Sequence, residues 1–345
     1  MEICFRDQGV YAVRFTCDKE RDRLLDTVEG LGIRVNKDRW KGKHYWPQNT
    51  NTFAIDLNQK LFIYQGEPHI CAAMAGSGVR FYSASEFCRL AELGFPRRTR
   101  CPIFHVPHDG REFPAELMAS VCIPEEQFMA YHEKMLDFGI WHTIPHEYWV
   151  PFQSEHFSVS RLLCDVERFT GPEEVMERYG MGFCYERAYD GTKIKNVTEE
   201  LKAKTLRYYR AHHERMDRIC REHKRVLLID LHSYSNEIVP KDFLCAGIET
   251  PDVCIGTDAR FTPPRLAQLT QKRFQDAGFT TALNYPYSGC YVPNAALQGE
   301  IDCASIMLEF NKRVYMGDIE KKYSPMMGKI SAIIREIVAE GIVDA

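Results

Sequence analysis

The chain has 345 residues, 45% hydrophobic and 27% charged, the balance of a globular protein long enough for one large domain or two ordinary ones. A net charge of −4 with a pI near 6.3 argues against a nucleic-acid partner, and no apolar stretch approaches the roughly 20 residues needed to cross a bilayer. The opening MEICFRDQGVYAVRF carries charges where a signal peptide needs its apolar run, and the thirteen cysteines are scattered singly without a C-x-x-C pair, so the expectation is a cytoplasmic protein with reduced thiols.

Residues 1–97 read as a small α+β accessory module. VYAVRF, NTFAIDL and KLFIYQ alternate as strands do, around a helical stretch, DKERDRLLDTVEGLG, that closes on glycine. SASEFCRLAELGF adds a serine cap, helical apolar spacing and a second terminal glycine. AGSGVR at 75–80 has too few glycines for a dinucleotide fingerprint, and PRRTRCP at 96–102 reads as a linker.

Residues 98–345 form the second region, where strands and helices alternate. CPIFHVPH predicts a strand at 101–108 and VSRLLCDVERF another at 159–169. A long helix over about 198–223 leads into VLLIDLHSY, whose four leading aliphatics suit a strand covered on both faces. VCIGT at 253–257, a helix at 263–278, the strands FTTALN and DCASIMLEFNKRVYM, and the helix KISAIIREIVAEGI complete the order. Such alternation predicts an α/β fold, with a mostly parallel or mixed sheet and helices on both faces.

The apolar strands deliver ionisable groups at their ends: His108 and Asp109 after Val106, Asp165 to Arg168, and Asp230 with His232. Glu309 lies inside a fourth run otherwise suited to burial. Open α/β sheets place ligand sites at the C-terminal edges of their strands, so this repetition reads as a site. Two imidazoles and a carboxylate are a common catalytic zinc set, and His108 and His232 are the candidate histidines. Asp230, two residues before His232, shares its strand face and is placed to orient the ring. His142 and His146 have helical ligand spacing, but Pro145 interrupts any helix there. His212 and His213, mid-helix among basic residues, read as a solvated face.

PHDG, SRLLCDVERF, DLHSYS, IGTDARFTPP, YPYSGCYVP and LEFNKRVYM resemble, in that order, the motifs of the N-formylglutamate amidohydrolase family, from about residue 102 to about 317. The resemblance implies a fold similar to the zinc carboxypeptidases and zinc-dependent hydrolysis of a small N-acyl amino acid. It implies His108 and His232 as ligands of Zn2+. A carboxypeptidase-type glutamate three residues after His108 is missing, because Arg111 stands there. The resemblance then leaves Asp137, or Glu112, as the carboxylate ligand. Glu309 matches the general base, and Arg168 resembles an arginine that grips a substrate carboxylate.

Guanidinium forks match carboxylates in two-point contact, so Arg161 and Arg168 together suit an acidic N-acyl amino acid. Seven residues apart, they would face opposite ways in a strand, so a bend must intervene if both serve the site. In the YPYSGCYVP loop, Tyr287 and Tyr291 are candidate phenolic donors, with Tyr291 the favoured substrate contact, and Ser288 and Gly289 allow backbone amides to approach. A peptidase or amidase acting on a peptide or cell-wall fragment, and an inactive binding protein, are the competing readings. The sequence assigns no oligomeric state.

Overall fold

The computed structural model describes residues 10–15, 17–35, 51–56, 61–64, 81–92, 100–149, 153–316 and 325–341. The chain divides into two compact units, residues 1–101 with 145–150 and 335–345, and residues 102–144 with 151–334. The short segments 145–150 and 335–345 thus join the first unit, although a linear reading assigns them to the second. No helix among the described residues is long and apolar enough to cross a membrane.

The first unit holds a four-stranded sheet in the order β3-β2-β1-β4, from β1 (Val10–Phe15), β2 (Asn51–Asp56), β3 (Leu61–Tyr64) and β4 (Phe81–Ser83). β2 pairs antiparallel with β1 and β3, and β4 lies parallel to β1. Alternation puts Val13, Phe15, Phe53 and Ile55 inside, where the Phe15 and Phe53 rings meet at 4.7 Å. The helix Asp18–Gly30 buries Leu24, Leu25 and Val28. The serine cap predicted before Ala84–Glu92 is a reciprocal capping box: Glu86 N–H donates to Ser83 Oγ at 3.0 Å, and Ser83 N–H to Glu86 Oε2 at 2.8 Å. AGSGVR and most of PRRTRCP lie outside the described residues.

The second unit is built on a six-stranded mixed sheet ordered β6-β5-β7-β10-β8-β9. Its strands are β5 (Cys101–Val106), β6 (Ser154–His156), β7 (Arg225–Tyr234), β8 (Val253–Gly256), β9 (Thr281–Leu283) and β10 (Asp302–Asn311). β7 and β10 run parallel with Glu309 opposite His232, and β8 pairs antiparallel with β10. Every residue of β5, and every residue of β7 after Arg225, is buried, so both faces of these central strands are covered. Each fully buried aliphatic side chain, such as Leu228 or Ile229, contributes about 1.5–3 kcal/mol. That rigidity fixes where the strand ends deliver their polar groups.

The strand expected at 159–169 does not form. Pairing continues past β6 only as a bridge between Glu112 and Val159, after which the chain turns: Leu163 and Cys164 N–H both donate to Ser160 O, at 2.9 and 3.1 Å. Leu162, Leu163, Cys164 and Val166 are fully buried in one core cluster, so the apolar run fills a packed loop. Gly110, in the PHDG stretch, permits the close approach at the bridge. A Cβ there would lie 2.5 Å from the carbonyl oxygens of Phe157 and Val159.

Candidate active site

His108 follows β5, and His232 stands near the end of β7. Their rings meet with Nδ1 facing Nδ1 at 3.2 Å. Asp137 Oδ2 completes a triangle, 3.6 Å from His108 Nδ1 and 3.5 Å from His232 Nδ1. All three side chains are buried. Asp137 sits just past the helix Glu125–Met135, in the MLDFG turn that Gly139 closes in the left-handed region at φ 72°. Two tethers hold it there: Asp137 N–H donates to His108 O at 3.0 Å, and buried Lys312 donates Nζ hydrogens to Lys134 O and Leu136 O at 3.0 and 2.7 Å.

The outer nitrogens explain why the inner ones converge. His108 Nε2 lies 2.8 Å from Asp165 Oδ1, and His232 Nε2 lies 3.1 Å from Asp230 Oδ1 and 3.0 Å from Glu167 Oε2. Ionised carboxylates only accept, so both Nε2 atoms carry a proton, and Nδ1 is the atom of each ring left to share a cation, a metal ion or a proton, in the space between them. Asp137 adds a carboxylate, and neither of its oxygens has a hydrogen-bond partner among the described residues. Three buried acceptors without a donor repel one another unless a cation is shared among them.

The triangle also has the right size. Ligands about 2.0–2.1 Å from a tetrahedral zinc stand about 3.3–3.4 Å from each other. Burial opposes charge on His232, but Glu167 and Asp230 outweigh it and raise the imidazole well above its ordinary value. Burial likewise pushes the Asp137 carboxyl up, while His108 and His232 hold it below the usual range. The surroundings therefore draw positive charge to this point. Glu167 is a rival third ligand, its Oε2 also 4.0 Å from His108 Nε2. That set would require His108 to abandon its shorter contact with Asp165, so Asp137 fits better. Glu112 is exposed and accepts from Ser158 Oγ at 2.8 Å, outside the triangle.

Asp165 ties this centre to the arginines. Its Oδ2 accepts from Arg161 at 3.0 Å and from the Tyr185 hydroxyl at 2.9 Å, and Arg168 Nε lies 3.6 Å away. The turn at 160–164 supplies the bend that brings both guanidiniums to one carboxylate, and both line a common cavity with His108 and His232. Their Nε atoms are buried and have no hydrogen-bond partner among the described residues. The cavity of about 870 Å³ is also lined by Glu167, Tyr287, Tyr291 and Glu309 and by apolar Phe169, Met176, Met181, Tyr209 and Leu297.

Glu309 is buried beside His232, and burial pushes its carboxyl up to about 7. Neither following cation pairs with it, since Lys312 serves the Asp137 loop and Arg313 binds Asp252 and Thr250 O.

One expectation needs correction, the solvated face of His212 and His213. Tyr291 lines the cavity, with its hydroxyl 3.0 Å from His213 Nδ1 and its ring tilted against His105. Tyr287 also lines the cavity, and burial, then Glu309, push its phenol up. His212 is buried rather than solvated, its Nε2 2.9 Å from His105 Nε2, and His213 is partly buried, its Nε2 2.9 Å from Val166 O. The helix Glu199–His223 buries Leu201, Thr205, His212 and Met216 along one stripe, a spacing that puts His212 on the inner face.

The sequence profile of the N-formylglutamate amidohydrolase family matches residues 101–316. The crystal structure of N-formylglutamate amidohydrolase from Ralstonia eutropha JMP134 is similar in fold, with a TM-score of 0.54 at 18% identity over 71% of this chain and 95% of that one. The gene product Atu2144 from Agrobacterium tumefaciens gives a TM-score of 0.50 at 15% identity, over 70% of this chain and 90% of that one. No curated protein matches at a significant level. With the profile spanning well over half of its length, the chain belongs to the N-formylglutamate amidohydrolase family, whose members act on amide bonds.

Proposed function

We propose that this protein is a zinc-dependent amidohydrolase that cleaves the amide or formamide bond of a small N-acyl amino acid, with acidic amino acids preferred. The observation that carries the reading is the convergence of His108 Nδ1, His232 Nδ1 and Asp137 Oδ2, all within 3.6 Å of one another. Charge supports it as well. Asp137 and Asp165 face the guanidiniums of Arg161 and Arg168, while Glu167 and Asp230 face His232, so four carboxylates stand near two guanidiniums, an imbalance that a divalent cation would neutralise. Held by His108, Asp137 and His232, Zn2+ would supply Lewis acidity that polarises a carbonyl and makes water nucleophilic near neutral pH.

The chain's own groups do the rest. Glu309, poised near neutrality, accepts a proton at its carboxylate from the attacking water and passes it to the leaving amine. Arg161 and Arg168, fixed by Asp165, line the cavity with their guanidinium groups, which hold a substrate carboxylate and so orient the scissile bond. The buried walls exclude bulk water and strengthen each of these contacts.

One observation favours a second reading, a peptidase or amidase with a larger substrate: the cavity of about 870 Å³, with its apolar wall, exceeds what a formyl group needs. A panel of N-formyl, N-acetyl and short peptidyl substrates, assayed with and without a chelator, tests both. Chelator-sensitive release from acidic N-acyl amino acids is the expected result. Activity indifferent to chelation overturns the zinc reading, and turnover of peptides alone replaces the substrate.

A further inference from the structure

Behind His232 the polar groups do not stop at one carboxylate. Asp230 Oδ1 contacts His232 Nε2 at 3.1 Å and also His105 Nδ1 at 2.9 Å, while its Oδ2 accepts from Tyr291 N–H at 2.9 Å. His105 Nε2 then meets His212 Nε2 at 2.9 Å. His212 Nδ1 faces Glu155 Oε1 at 3.8 Å, and Glu155 Oε2 pairs with exposed Arg215 at 2.7 Å. β6, β5 and β7 are neighbours, with His105 opposite Glu155, so the row crosses three strands beneath the helix Glu199–His223. Asp230, His105, His212 and Glu155 are all buried.

Hydrogen-bond counting orders the protons along this row. Asp230 only accepts, so His105 must donate from Nδ1 and His232 from Nε2. A neutral His105 is then bare at Nε2 and requires a donor, which His212 supplies from its own Nε2. His212 Nδ1 is correspondingly an acceptor, and it makes no hydrogen bond. Burial, then His105, His213 and Arg215, hold His212 well below the ordinary imidazole range, in keeping with a neutral ring. Packing locks the geometry: Tyr291 lies on His105 at 4.3 Å between ring centroids, and Phe157 abuts His212 at 5.1 Å.

We propose that His212 is a positioning residue which, through His105 and Asp230, fixes the tautomer of His232 and so aims its Nδ1 at the space shared with His108 and Asp137. The effect on metal affinity rests on the zinc reading above; the proton order does not. Without the His212 donor, His105 can move its proton to the other nitrogen, Asp230 loses one of its two imidazole partners, and the restraint on His232 slackens.

The test compares the parent protein with His212→Leu and His212→Gln, since glutamine can restore an amide N–H near His105. Histidine 15N spectra of the parent should show an Nε2–H tautomer for His212 and an Nδ1–H tautomer for His105 with or without Zn2+, and an Nε2–H tautomer for His232 once Zn2+ is bound. Zn2+ affinity, read by competition with a chelator, should fall about 10- to 100-fold in His212→Leu and recover most of that in His212→Gln. A parent His105 protonated at Nε2 would overturn the proposal, as would a leucine variant with unchanged affinity, or a glutamine variant no better than leucine. If the leucine variant fails to fold, the parent tautomers and the glutamine variant still decide. A parent that binds no Zn2+ would sink the zinc reading, while the spectra would still judge the proton order.

Discussion

The two histidines of the site are supported by carboxylates of different character. Behind His108 stands Asp165, which spends its second oxygen on Arg161 and Tyr185, with Arg168 close by. Behind His232 stands Asp230, which leads away from the cavity into His105 and His212. The first arm couples His108 to arginines that line the cavity; the second couples His232 to the interior of the fold. Damage to the first should therefore reach substrate binding, and damage to the second should remain a matter of ligand geometry.

The largest effect should come from the convergence point. His108→Ala and His232→Ala should each abolish zinc binding and bring hydrolysis to background, measured by metal content and turnover. If one variant keeps both, the two arms do not serve one ion. Glu309→Gln should keep zinc yet lose about 10²–10⁴ in kcat. Because Glu309 must be ionised to accept a proton and burial lifts its carboxyl to about 7, kcat/KM should fall as pH drops through that value. A rate flat from pH 5 to 8, outside any metal loss, would remove Glu309 from the role.

Exchanging the carboxylates sharpens the contrast between the arms. Asp165→Asn and Asp230→Asn should each weaken zinc affinity about 10- to 100-fold, but only Asp165→Asn should also raise KM for an acidic substrate. Equal KM values would erase the distinction. Arg168→Lys keeps the charge and loses the planar fork, so KM should rise about tenfold at most with zinc binding unchanged. The smallest change is expected for Tyr291→Phe, which removes a hydroxyl directed at His213 and should alter kcat/KM less than Tyr287→Phe does.

Much of the frame was legible in residue order. β5, β7 and β10 are apolar runs with polar ends, and the i, i+2 spacing of Asp230 and His232 foretells their contact. The 159–169 segment misled because a buried loop and a buried strand share one apolar composition, and periodicity cannot separate them over so short a run. Asp165 and Glu167 enter the sequence reading only as strand-end charges and His105 not at all, since their partners lie far along the chain: His105 meets Asp230, and Asp165 meets His108, only after folding. His212 is different. Its inward placement follows from the helical stripe that includes Thr205 and Met216, and the basic residues around it obscured that signal.

Lys312 follows Glu309 by three residues and grips the carbonyls of Lys134 and Leu136, immediately before Asp137. One strand terminus thus carries Glu309 and also anchors Asp137, the acidic member of the triangle. Shift that terminus and both carboxylates move in step, so their spacing survives small breathing motions of the sheet. Substituting Lys312 would uncouple them and let the loop drift while Glu309 stayed in place, turning a geared pair into two independent parts.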